Sequence, residues 1–569
     1  MLTPLHGNKI DKWNIIAFDT EDDSCGNVKS VCFAFRRNGK IHHAYFESVE
    51  PAIKWIYSWS IKCVFVAHNL EYDLINLFRD KDYSDVKRMT YTARLIMANI
   101  KNSPHLFVDS MNYAAMSLKD LGKKVGLEKL EFDINNPDYV KRDAEIVLVF
   151  MERFQELVNT KLNISMYPTI GKMAVQAFRK NFLDRDYVPY NGDICVSGYY
   201  GGRCELYHKG YLEGEIKYVD FNSMYPNAME KNLYPDTDLV EPITSIDVEF
   251  GFSEVTIYIP ESLFVGPLPY RGERLIYPTG TIRGTWYNAE IRNALTRGCK
   301  ILAYHDGFGT NVGVAPFKQF VNTYYGYRIS NNDTFETLFW KLLLNNSYGK
   351  YFQHNDYTEC RDGEMTLKEQ NKTQGKLTRV LGNLYFYDMP MLEPPQTANY
   401  MWGAGITANA RIEFEKLATS IHNSGNTLLY GDTDSNIYLK TQPDDFLDLD
   451  EKRLGALKLE TYVSADFVMA KGYILKTEDG QYKTTCKGVP LDKSLTGEQM
   501  GTDLNRQVRF LKGEKVVFDK PLKFKESLVR NKKANVWTET PKQMREVYSR
   551  RVVLGDGPTY PHCIGSDQN

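Results

Sequence analysis

The chain has 569 residues, of which 43% are hydrophobic and 25% are charged, and its formal net charge is −2. This composition excludes an intrinsically disordered protein, and the length is sufficient for several folded domains. The near-neutral charge is not that of a dedicated basic nucleic-acid scaffold, but a metal-dependent enzyme can offset its basic grooves with clusters of acids.

Nine cysteines are spread along the chain without a CxxC pair, so no zinc site is predicted. An odd number of cysteines in a long chain is typical of reduced thiols in a cytosol. The first four residues lack a basic region followed by an apolar run, and no stretch is apolar enough to span a membrane. We therefore expect a cytoplasmic protein without a membrane partner.

Two acids follow the first apolar run of the chain. Residues 15–18 read as a buried strand that leads directly into Asp19-Thr20-Glu21. Because side chains alternate along a strand, Asp19 and Glu21 are expected on the same face.

Two further segments place acids beside apolar runs. A strand over 64–67 leads to Asp73, and a helix is predicted from Asn136, an N-cap residue followed by proline. Tyr139 and Asp143 are four residues apart and share one face of that helix. Together with Asp19 and Glu21, these acids are able to hold two metal ions about 4 Å apart, with Tyr139 orienting an attacking water.

A glycine pair marks the junction after the first third of the chain. Gly201 and Gly202 follow Tyr199 and precede Arg203. Adjacent glycines allow a backbone to approach a phosphate closely, and the arginine adds positive charge.

A predicted helix in the middle of the chain aligns a cation, an amide and an aromatic ring. Asp333 is the expected N-cap and Gly349 the expected C-terminal cap. Lys341, Asn345 and Tyr348 then fall on one helix face, where they suit a triphosphate, a sugar and a base in turn.

Three acids are predicted to converge in the second half of the chain. An apolar strand ends at Asp220, and a hairpin over 428–438 presents Asp432 and Asp434 at its tip. Carboxylates this close repel one another unless a cation lies between them, and hard oxygen ligands favour Mg²⁺. The set predicts a two-metal site for phosphoryl transfer, with two Mg²⁺ or Mn²⁺ ions.

These segments resemble known motifs of one family. The stretches 220–226 (DFNSMYP), 341–349 (KLLLNNSYG) and 430–435 (YGDTDS) resemble motifs A, B and C of the family B DNA polymerases. The upstream acids with Tyr139 resemble the DEDD-type 3′–5′ exonuclease in its tyrosine variant. The YxGG pattern at 199–202 resembles that of the protein-primed branch in phages and linear plasmids. The resemblance extends from residue 19 to residue 490.

The resemblance implies contacts with DNA and with the incoming nucleotide. The implied DNA-binding residues are His68, Asn69, Tyr72, Ser110, Met111, Tyr199, Gly201, Gly202, Arg203, Lys471 and Tyr473. The implied nucleotide-binding residues are Tyr225, Arg328, Lys341, Asn345 and Tyr348. Phe221 is implied to lend its carbonyl oxygen to a metal ion. Phage relatives carry a catalytic lysine before the third exonuclease motif, and the short segment 128–138 leaves that role unassigned, including for Lys129.

The implied fold is a multidomain α/β and α+β protein. An RNase H-like exonuclease domain over 1–190 is followed by a right-hand polymerase. Palm and fingers occupy 191–490, with insertions at about 234–319 and 355–395. A thumb over 491–569 is expected to track phosphates with Lys520, Lys523, Lys525, Arg530, Lys532 and Lys533.

The expected function is DNA-directed DNA synthesis with proofreading. The implied partners are template and primer DNA, dNTPs and a terminal protein that primes replication of a linear viral or plasmid genome by strand displacement. A viral member would act in the cytoplasm of its host. Two alternatives remain open: a nucleic-acid-primed repair or replication polymerase of the same family, and a non-catalytic DNA-binding replication factor.

Overall fold

The computed structural model describes residues 13–23, 26–79, 83–92, 94–353, 356–489, 497–521, 537–544 and 548–565. The chain forms two compact units. The first comprises Met1–Leu183, Ser330–Thr397 and Asp519–Glu539, and the second comprises Asp184–Ile329, Ala398–Phe518 and Thr540–Asn569. In the described part of the chain, no helix has both the length and the apolarity needed to cross a membrane.

A ten-stranded sheet forms the centre of the first unit. Its strands are β1 (Ile15–Asp22), β2 (Val28–Arg37), β3 (Lys40–Phe46), β4 (Val64–Ala67), β5 (Val86–Tyr91), β6 (Leu95–Ile100), β7 (Leu106–Asp109), β18 (Tyr357–Asp362), β19 (Lys376–Leu381) and β20 (Leu384–Met389). They lie in the order β19-β20-β18-β5-β6-β7-β4-β1-β2-β3, with β4 parallel to β1 and β7. Stacked and edge-on rings of Phe18, Phe33, Phe65 and Phe107 fill the core under its central strands.

The helices of the first unit include the two that were predicted to begin at capping residues. They are α1 (Val49–Tyr57), α2 (Leu70–Phe78), α3 (Leu118–Val125), α4 (Pro137–Leu157), α5 (Ile170–Asn181), α10 (Thr334–Asn345), α11 (Tyr348–Tyr351) and α12 (Leu367–Thr373). Asn136 caps α4 and Asp333 caps α10 through side-chain oxygens, as predicted. Phe154 of α4 packs edge-on against Phe339 of α10, with ring centroids 4.8 Å apart.

Contacts therefore group residues 330–397 with the predicted exonuclease domain, whereas the sequence analysis grouped them with the palm. The predicted insertion at 355–395 supplies β18, β19 and β20, which extend the sheet of the first unit. The reason is physical: β18 pairs antiparallel with β5, so backbone hydrogen bonds join segments that are far apart in sequence.

An eight-stranded sheet forms the centre of the second unit. Its strands are β8 (Cys204–Leu206), β9 (His208–Phe221), β21 (Thr427–Asp432), β22 (Ser435–Leu439), β23 (Leu457–Met469), β24 (Gly472–Lys476), β25 (Tyr482–Cys486) and β28 (Gly557–Pro558). The path runs β25-β24-β23-β9-β22-β21-β8, and β28 pairs with β9. The central strand β9 and the hairpin β21–β22 are thus neighbours.

The predicted insertion at 234–319 contributes four strands to a separate five-stranded sheet, whose fifth strand, β29 (Cys563–Ile564), comes from the end of the described chain, and it also contains two two-stranded pairs. The strands are β10 (Tyr234–Pro235), β11 (Glu241–Pro242), β12 (Phe250–Ile259), β13 (Tyr270–Arg271), β14 (Leu275–Ile276), β15 (Thr279–Tyr287), β16 (Lys300–Thr310), β17 (Gly313–Val314) and β29 (Cys563–Ile564). Val255, Ile257 and Trp286 lie in its buried core.

The remaining elements are α6 (Asp193–Ser197), α7 (Met224–Lys231), α8 (Asn288–Thr296), α9 (Lys318–Ser330), α13 (Tyr400–Asn423), α14 (Gly497–Leu511), β26 (Val516–Pro521) and β27 (Trp537–Lys542).

Most of the basic residues predicted for the thumb lie outside the described residues. They are Lys523, Lys525, Arg530, Lys532 and Lys533, and the side chain of Lys520 and Pro490 also lie outside. The prediction of a phosphate-tracking thumb therefore stays a prediction.

Candidate active sites

Three acids of the first unit form a compact cluster. Strand β1 delivers Asp19 and Glu21 on one face, and α4 packs against β1 with Asp143. One carboxylate oxygen from each of the three lies within 4.8 Å of the others. Asp19 Oδ2 and Asp143 Oδ1 are buried and accept no hydrogen bond within the described residues. Buried, unsatisfied oxygens of this kind fit a divalent cation.

The electrostatics of this cluster favour the same ligand. Burial, reinforced by Asp73 and Asp143, holds the pKa of Asp19 well above its usual range. Burial and the nearby Asp143 raise the pKa of Glu21 to about 7. Repulsion between acids raises pKa values in this way unless a cation compensates for the charge.

Asp73, the fourth predicted acid, is not part of the three-residue group. Its Oδ1 accepts hydrogen bonds from the Thr20 backbone N–H at 2.9 Å and from Thr20 Oγ1 at 2.8 Å. Burial nevertheless raises its pKa, and Glu21 contributes to the shift, so Asp73 lies beside the cluster. The structure brings three of the four acids together and fixes the fourth next to them.

Lys129 is a member of this site that sequence reasoning left unassigned. Its Nζ donates to the hydroxyl of Tyr139 at 2.6 Å and forms an ion pair with Asp143. The same ammonium lies 4.2 Å from the centroid of the Tyr139 ring. The sequence signal that could have assigned Lys129 to the site is a single lysine in a segment rich in acidic and apolar residues, shortly before the helix capped by Asn136.

Two of the residues implied to grip single-stranded DNA face inward. His68 Nδ1 shares a hydrogen bond with Ser110 Oγ and Nε2 one with the carbonyl of Met116, both at 2.9 Å. Burial lowers the pKa of His68 to about 4, so its imidazole is neutral. Ser110 is fully buried. These hydrogen bonds fix the local backbone, and contact of His68 and Ser110 with DNA stays a prediction.

The other residues of this group remain accessible. Asn69 is exposed in a left-handed conformation at the start of α2. Tyr72 is half-buried, and its hydroxyl donates to Asp22. Met111 lines an open cavity of about 800 Å³ in the first unit, together with Asn345 and Tyr348. The structure thus brings one implied DNA ligand and two implied nucleotide ligands to the same cavity.

The helix carrying Lys341 ends earlier than predicted. Helix α10 stops at Asn345 with Asn346 as its cap, and Tyr348 begins the separate short helix α11. Ser347 Oγ donates to the carbonyl of Leu344 at 2.7 Å, which satisfies an acceptor at this helix end. The prediction that Tyr348 shares a helix face with Lys341 and Asn345 is therefore wrong.

In the second unit, Asp220 and Asp434 meet where β9 and β22 pair. Asp220 lies opposite Ser435 in the ladder, and the Phe221 N–H donates to the carbonyl oxygen of Asp434 at 2.8 Å. Burial, together with the nearby Asp434, raises the pKa of Asp220 to about 6. The structure thus brings together Asp220 and Asp434, two of the three acids that were predicted to converge here.

Asp432 is held by a different set of partners. Lys471 Nζ lies 3.1 Å from Asp432 Oδ2, and the Tyr430 hydroxyl donates to the same oxygen at 3.2 Å. Lys471 is exposed, as a strand-binding cation must be, but its charge is compensated by Asp432 in this structure. Tyr473 is only 5% exposed, and its ring packs 5.0 Å from that of Tyr430. The Tyr473 ring therefore belongs to the core, and its role in holding the primer strand stays a prediction.

A family model described as DNA polymerase type B, organellar and viral, matches residues 81–381, which is more than half of the chain. The chain belongs to this family. The DNA-directed DNA polymerase of Enterobacteria phage PRD1 is 26% identical over 88% of this polymerase and 90% of its own length. A probable DNA polymerase of Neurospora intermedia is 27% identical over an aligned region that covers 58% of this polymerase and 36% of the relative.

The polymerase also resembles solved structures in its fold. Phi29 DNA polymerase, solved with primer-template DNA and incoming nucleotide, matches with a TM-score of 0.71 and 17% identity. The match covers 95% of this polymerase and 100% of the Phi29 chain. The predicted fold class, exonuclease and right-hand polymerase domains in one mixed α/β chain, is confirmed.

The glycine pair of the polymerase lies against the tip of the hairpin that carries Asp432 and Asp434. A Cβ atom added to Gly202 would lie 2.7 Å from Thr433 Oγ1, and the Thr433 N–H donates to the carbonyl of Arg203 at 2.6 Å. Gly201 is exposed with open space around it. Tyr199 is half-buried, and its carbonyl accepts from Arg271.

Arg203 does not face a phosphate-binding surface. Its side chain is 1% exposed, donates to Glu205 Oε2 at 2.7 Å and to the Gly266 carbonyl at 2.7 Å, and lies 3.9 Å from the Tyr277 ring. The prediction that Arg203 binds DNA is wrong, because its charge is used inside the protein. Sequence alone could not predict the hydrogen bond from Arg203 to the Gly266 carbonyl, because Gly266 lies in the predicted insertion at 234–319.

Gly202→Ala is expected to reduce DNA synthesis about tenfold, whereas Gly201→Ala leaves it unchanged. Overpacking costs about 1–3 kcal/mol, and about 1.4 kcal/mol at the catalytic hairpin corresponds to a factor of ten in rate. Steady-state primer extension by the two variants provides the comparison. Equal activity of both variants would contradict the contact with Thr433.

Arg328 and Tyr225 lie around the turn that follows Asp220. Arg328 Nη1 donates to Ser223 Oγ at 2.7 Å, and Ser223 has a left-handed backbone with φ 57°. Tyr225 is half-buried in the first turn of α7. Tyr225 thus lies in the chain segment that follows Asp220, and Arg328, on α9, reaches the same segment through Ser223.

Proposed function

We propose that this polymerase extends DNA at the Asp220–Asp434 site and proofreads with a 3′–5′ exonuclease at the Asp19–Glu21–Asp143 site. The observation that carries the exonuclease proposal is the pair of buried, unsatisfied carboxylate oxygens beside the Lys129–Tyr139 hydrogen bond. A structural acid cluster would have its oxygens satisfied by protein donors.

Two divalent ions, Mg²⁺ or Mn²⁺, are the expected ligands of each site. Asp19, Glu21 and Asp143, with Asp73, would hold them in the first unit. Asp220, Asp434, Asp432 and the carbonyl of Phe221 would hold them in the second. Bound ions activate the attacking oxygen and stabilise the leaving group.

For synthesis, the residues of the chain bind and orient the substrates. Asp220 and Asp434 lie where a primer 3′-OH would attack the α-phosphate of a dNTP. Arg328 and the exposed Lys341 would neutralise the triphosphate, and Asn345 and Tyr348 would contact the sugar and the base. Tyr225 would lie under the incoming sugar and leave no room for a 2′-OH.

For proofreading, Tyr139 and Lys129 act on the attacking water. The Tyr139 hydroxyl would orient it, and the Lys129 ammonium both fixes that hydroxyl and offsets the charge of Asp143. Burial raises the pKa of Tyr139, so the phenol keeps its proton. Asn69, Tyr72 and Met111 would hold the 3′ end of the single strand.

Lys129→Met is expected to lower exonuclease activity about 10–100-fold, the usual cost of losing a group that orients a ligand or nucleophile. Primer extension should not change. Lys141→Met is the matched control, because Lys141, on helix α4, pairs with the exposed Asp138 at 3.0 Å. Degradation of a labelled single-stranded oligonucleotide separates the two variants. Equal rates would exclude Lys129 from the nuclease.

We further propose that the polymerase starts chains on a protein hydroxyl and copies a linear viral or plasmid genome by strand displacement in a host cytoplasm. The YxGG segment supports this, because Gly202 packs against Thr433 at the tip of the hairpin that carries Asp432 and Asp434. The two insertions support it as well, since both are folded segments: the first contributes four strands to a five-stranded sheet, and the second adds three strands to the sheet of the first unit. A Ser, Thr or Tyr hydroxyl would replace the primer 3′-OH beside Asp220 and Asp434.

Incubation of the polymerase with a candidate terminal protein, Mg²⁺ and labelled dNTP should give label covalently attached to that protein. Asp434→Ala is the control, because it should prevent the transfer. Robust extension of a DNA primer without protein-linked nucleotide, with the genuine partner, would refute protein priming. The nucleic-acid-primed alternative would then stand.

A further inference from the structure

Three buried charged residues form an ion-pair chain in the second unit. Glu205 Oε2 lies 2.5 Å from Arg203 Nη2, and Glu205 Oε1 lies 3.6 Å from Arg551 Nη1. Each of the three side chains is at most 1% exposed. One carboxylate between two guanidinium groups leaves a net positive charge in the interior. Within the described residues, Arg203 Nη2, Arg551 Nη1 and Glu205 Oε1 make no hydrogen bond, so at these atoms the three side chains are held by ion pairing.

This chain of ion pairs ends at the hairpin that carries the polymerase acids. Strand β8, which contains Glu205, pairs antiparallel with β21, so that Glu205 faces Gly431 and Cys204 faces Asp432. The carbonyl of Arg203 accepts the N–H of Thr433, the residue between the two acids. A shift of Arg203 or Glu205 would therefore move the backbone that holds Asp432 and Asp434.

The other end lies in the segment 548–565. Arg551 Nε donates to Thr559 Oγ1 at 2.9 Å, and Arg551 Nη2 donates to the carbonyls of Phe264 at 2.9 Å and Thr559 at 3.0 Å. Thr559 is fully buried, and its hydroxyl donates to the carbonyl of Leu206 at 2.6 Å. Arg551 thereby ties this segment both to β8 and to the palm insertion.

The Tyr548 hydroxyl accepts from the N–H of Leu206 at 2.8 Å, and Arg550 Nη1 donates to the carbonyl of Cys204 at 3.1 Å. The segment therefore contacts the backbone of β8 at several points, on the strand that neighbours β21. None of these side chains reaches the reacting atoms, so an effect on catalysis must be transmitted through β8.

We infer that Arg551 and Thr559 are positioning residues of the polymerase reaction, acting through Glu205 and Arg203 on the hairpin that presents Asp432 and Asp434. Their role is to hold the acids in register with Asp220. A displacement of catalytic groups by about 1 Å can cost about a hundredfold in rate without a change in substrate contacts. The inference predicts a loss of turnover with little loss of nucleotide affinity.

The test uses the full chain with Arg551→Met and, as a smaller change, Thr559→Val. Arg297→Met is the matched control, since Arg297 also pairs with a buried carboxylate, Glu415, at 3.3 Å but touches neither β8 nor the hairpin. Steady-state extension of a primer-template by each variant gives kcat and the KM for dNTP. Melting temperatures identify variants that fail to fold.

The expected result is a kcat lowered about tenfold by Arg551→Met and less by Thr559→Val, with the KM for dNTP within about twofold of the parent. Arg297→Met should leave kcat unchanged. If Arg551→Met does not fold, Thr559→Val decides the question alone. An unchanged kcat in folded Thr559→Val, a change confined to KM, or an equal fall with Arg297→Met would overturn the inference.

Discussion

Asp434→Ala is expected to lower nucleotide incorporation about a thousandfold or more while leaving single-strand degradation intact. Asp434 immediately precedes Ser435, the residue opposite Asp220 in the β9–β22 ladder, and burial and the charge of Asp434 raise the pKa of Asp220 to about 6. Removing one of these two neighbouring carboxylates removes a proposed metal ligand, and a two-metal reaction has no substitute for it. The nuclease acids belong to the other unit and keep their ligands.

Asp448→Ala is the control for this change, because Asp448 is exposed and pairs only with Arg453 in the same unit. Single-turnover extension of a labelled primer at saturating Mg²⁺ measures both variants. One tenth of parental extension in Asp434→Ala would be enough to reject Asp434 as a metal ligand.

The double change Asp19→Ala with Glu21→Ala is expected to abolish single-strand degradation, again by about a thousandfold or more. Extension should continue at the parental rate, and misincorporated nucleotides should accumulate because mismatched ends are no longer removed. The physical reason is the loss of two of the three carboxylates whose oxygens lie within 4.8 Å of one another. Asp138→Ala, an exposed acid on α4, is the control.

A labelled oligonucleotide and a mismatched primer-template together measure both effects. If the double variant still shortened the oligonucleotide at the parental rate, the nuclease would have to lie elsewhere in the chain. If it lost extension as well, the two activities would share these acids, and the division of labour between the sites would be wrong.

The acids of both sites could be predicted from sequence because they follow short-range rules. Asp19 and Glu21 lie on one face because strands alternate, and Asp143 follows from a helix whose start is fixed by Asn136. Asp220 and Asp434 meet because a strand and a hairpin tip pair in register. These patterns need only local geometry.

The contacts that sequence did not predict join residues that are distant in the chain. His68 and Ser110 bond to one another across 42 residues. Arg203 donates to a carbonyl in the insertion, and Asp432 pairs with Lys471, which lies in the turn between β23 and β24. Lys129 reaches Tyr139 only because its loop folds back over α4. No periodicity in a single sequence encodes such contacts.

The two-site account is tested most directly by nucleotide idling at a primer terminus. With a primer-template, Mg²⁺ and only the next correct dNTP, each cycle adds a nucleotide at one site and removes it at the other. With the supplied dNTP labelled, we expect steady release of labelled dNMP by the parent chain and none by Asp434→Ala or by the Asp19→Ala, Glu21→Ala variant. Incorporation by the parent without labelled dNMP, or release of labelled dNMP by either variant at the parental rate, would contradict the two-site account.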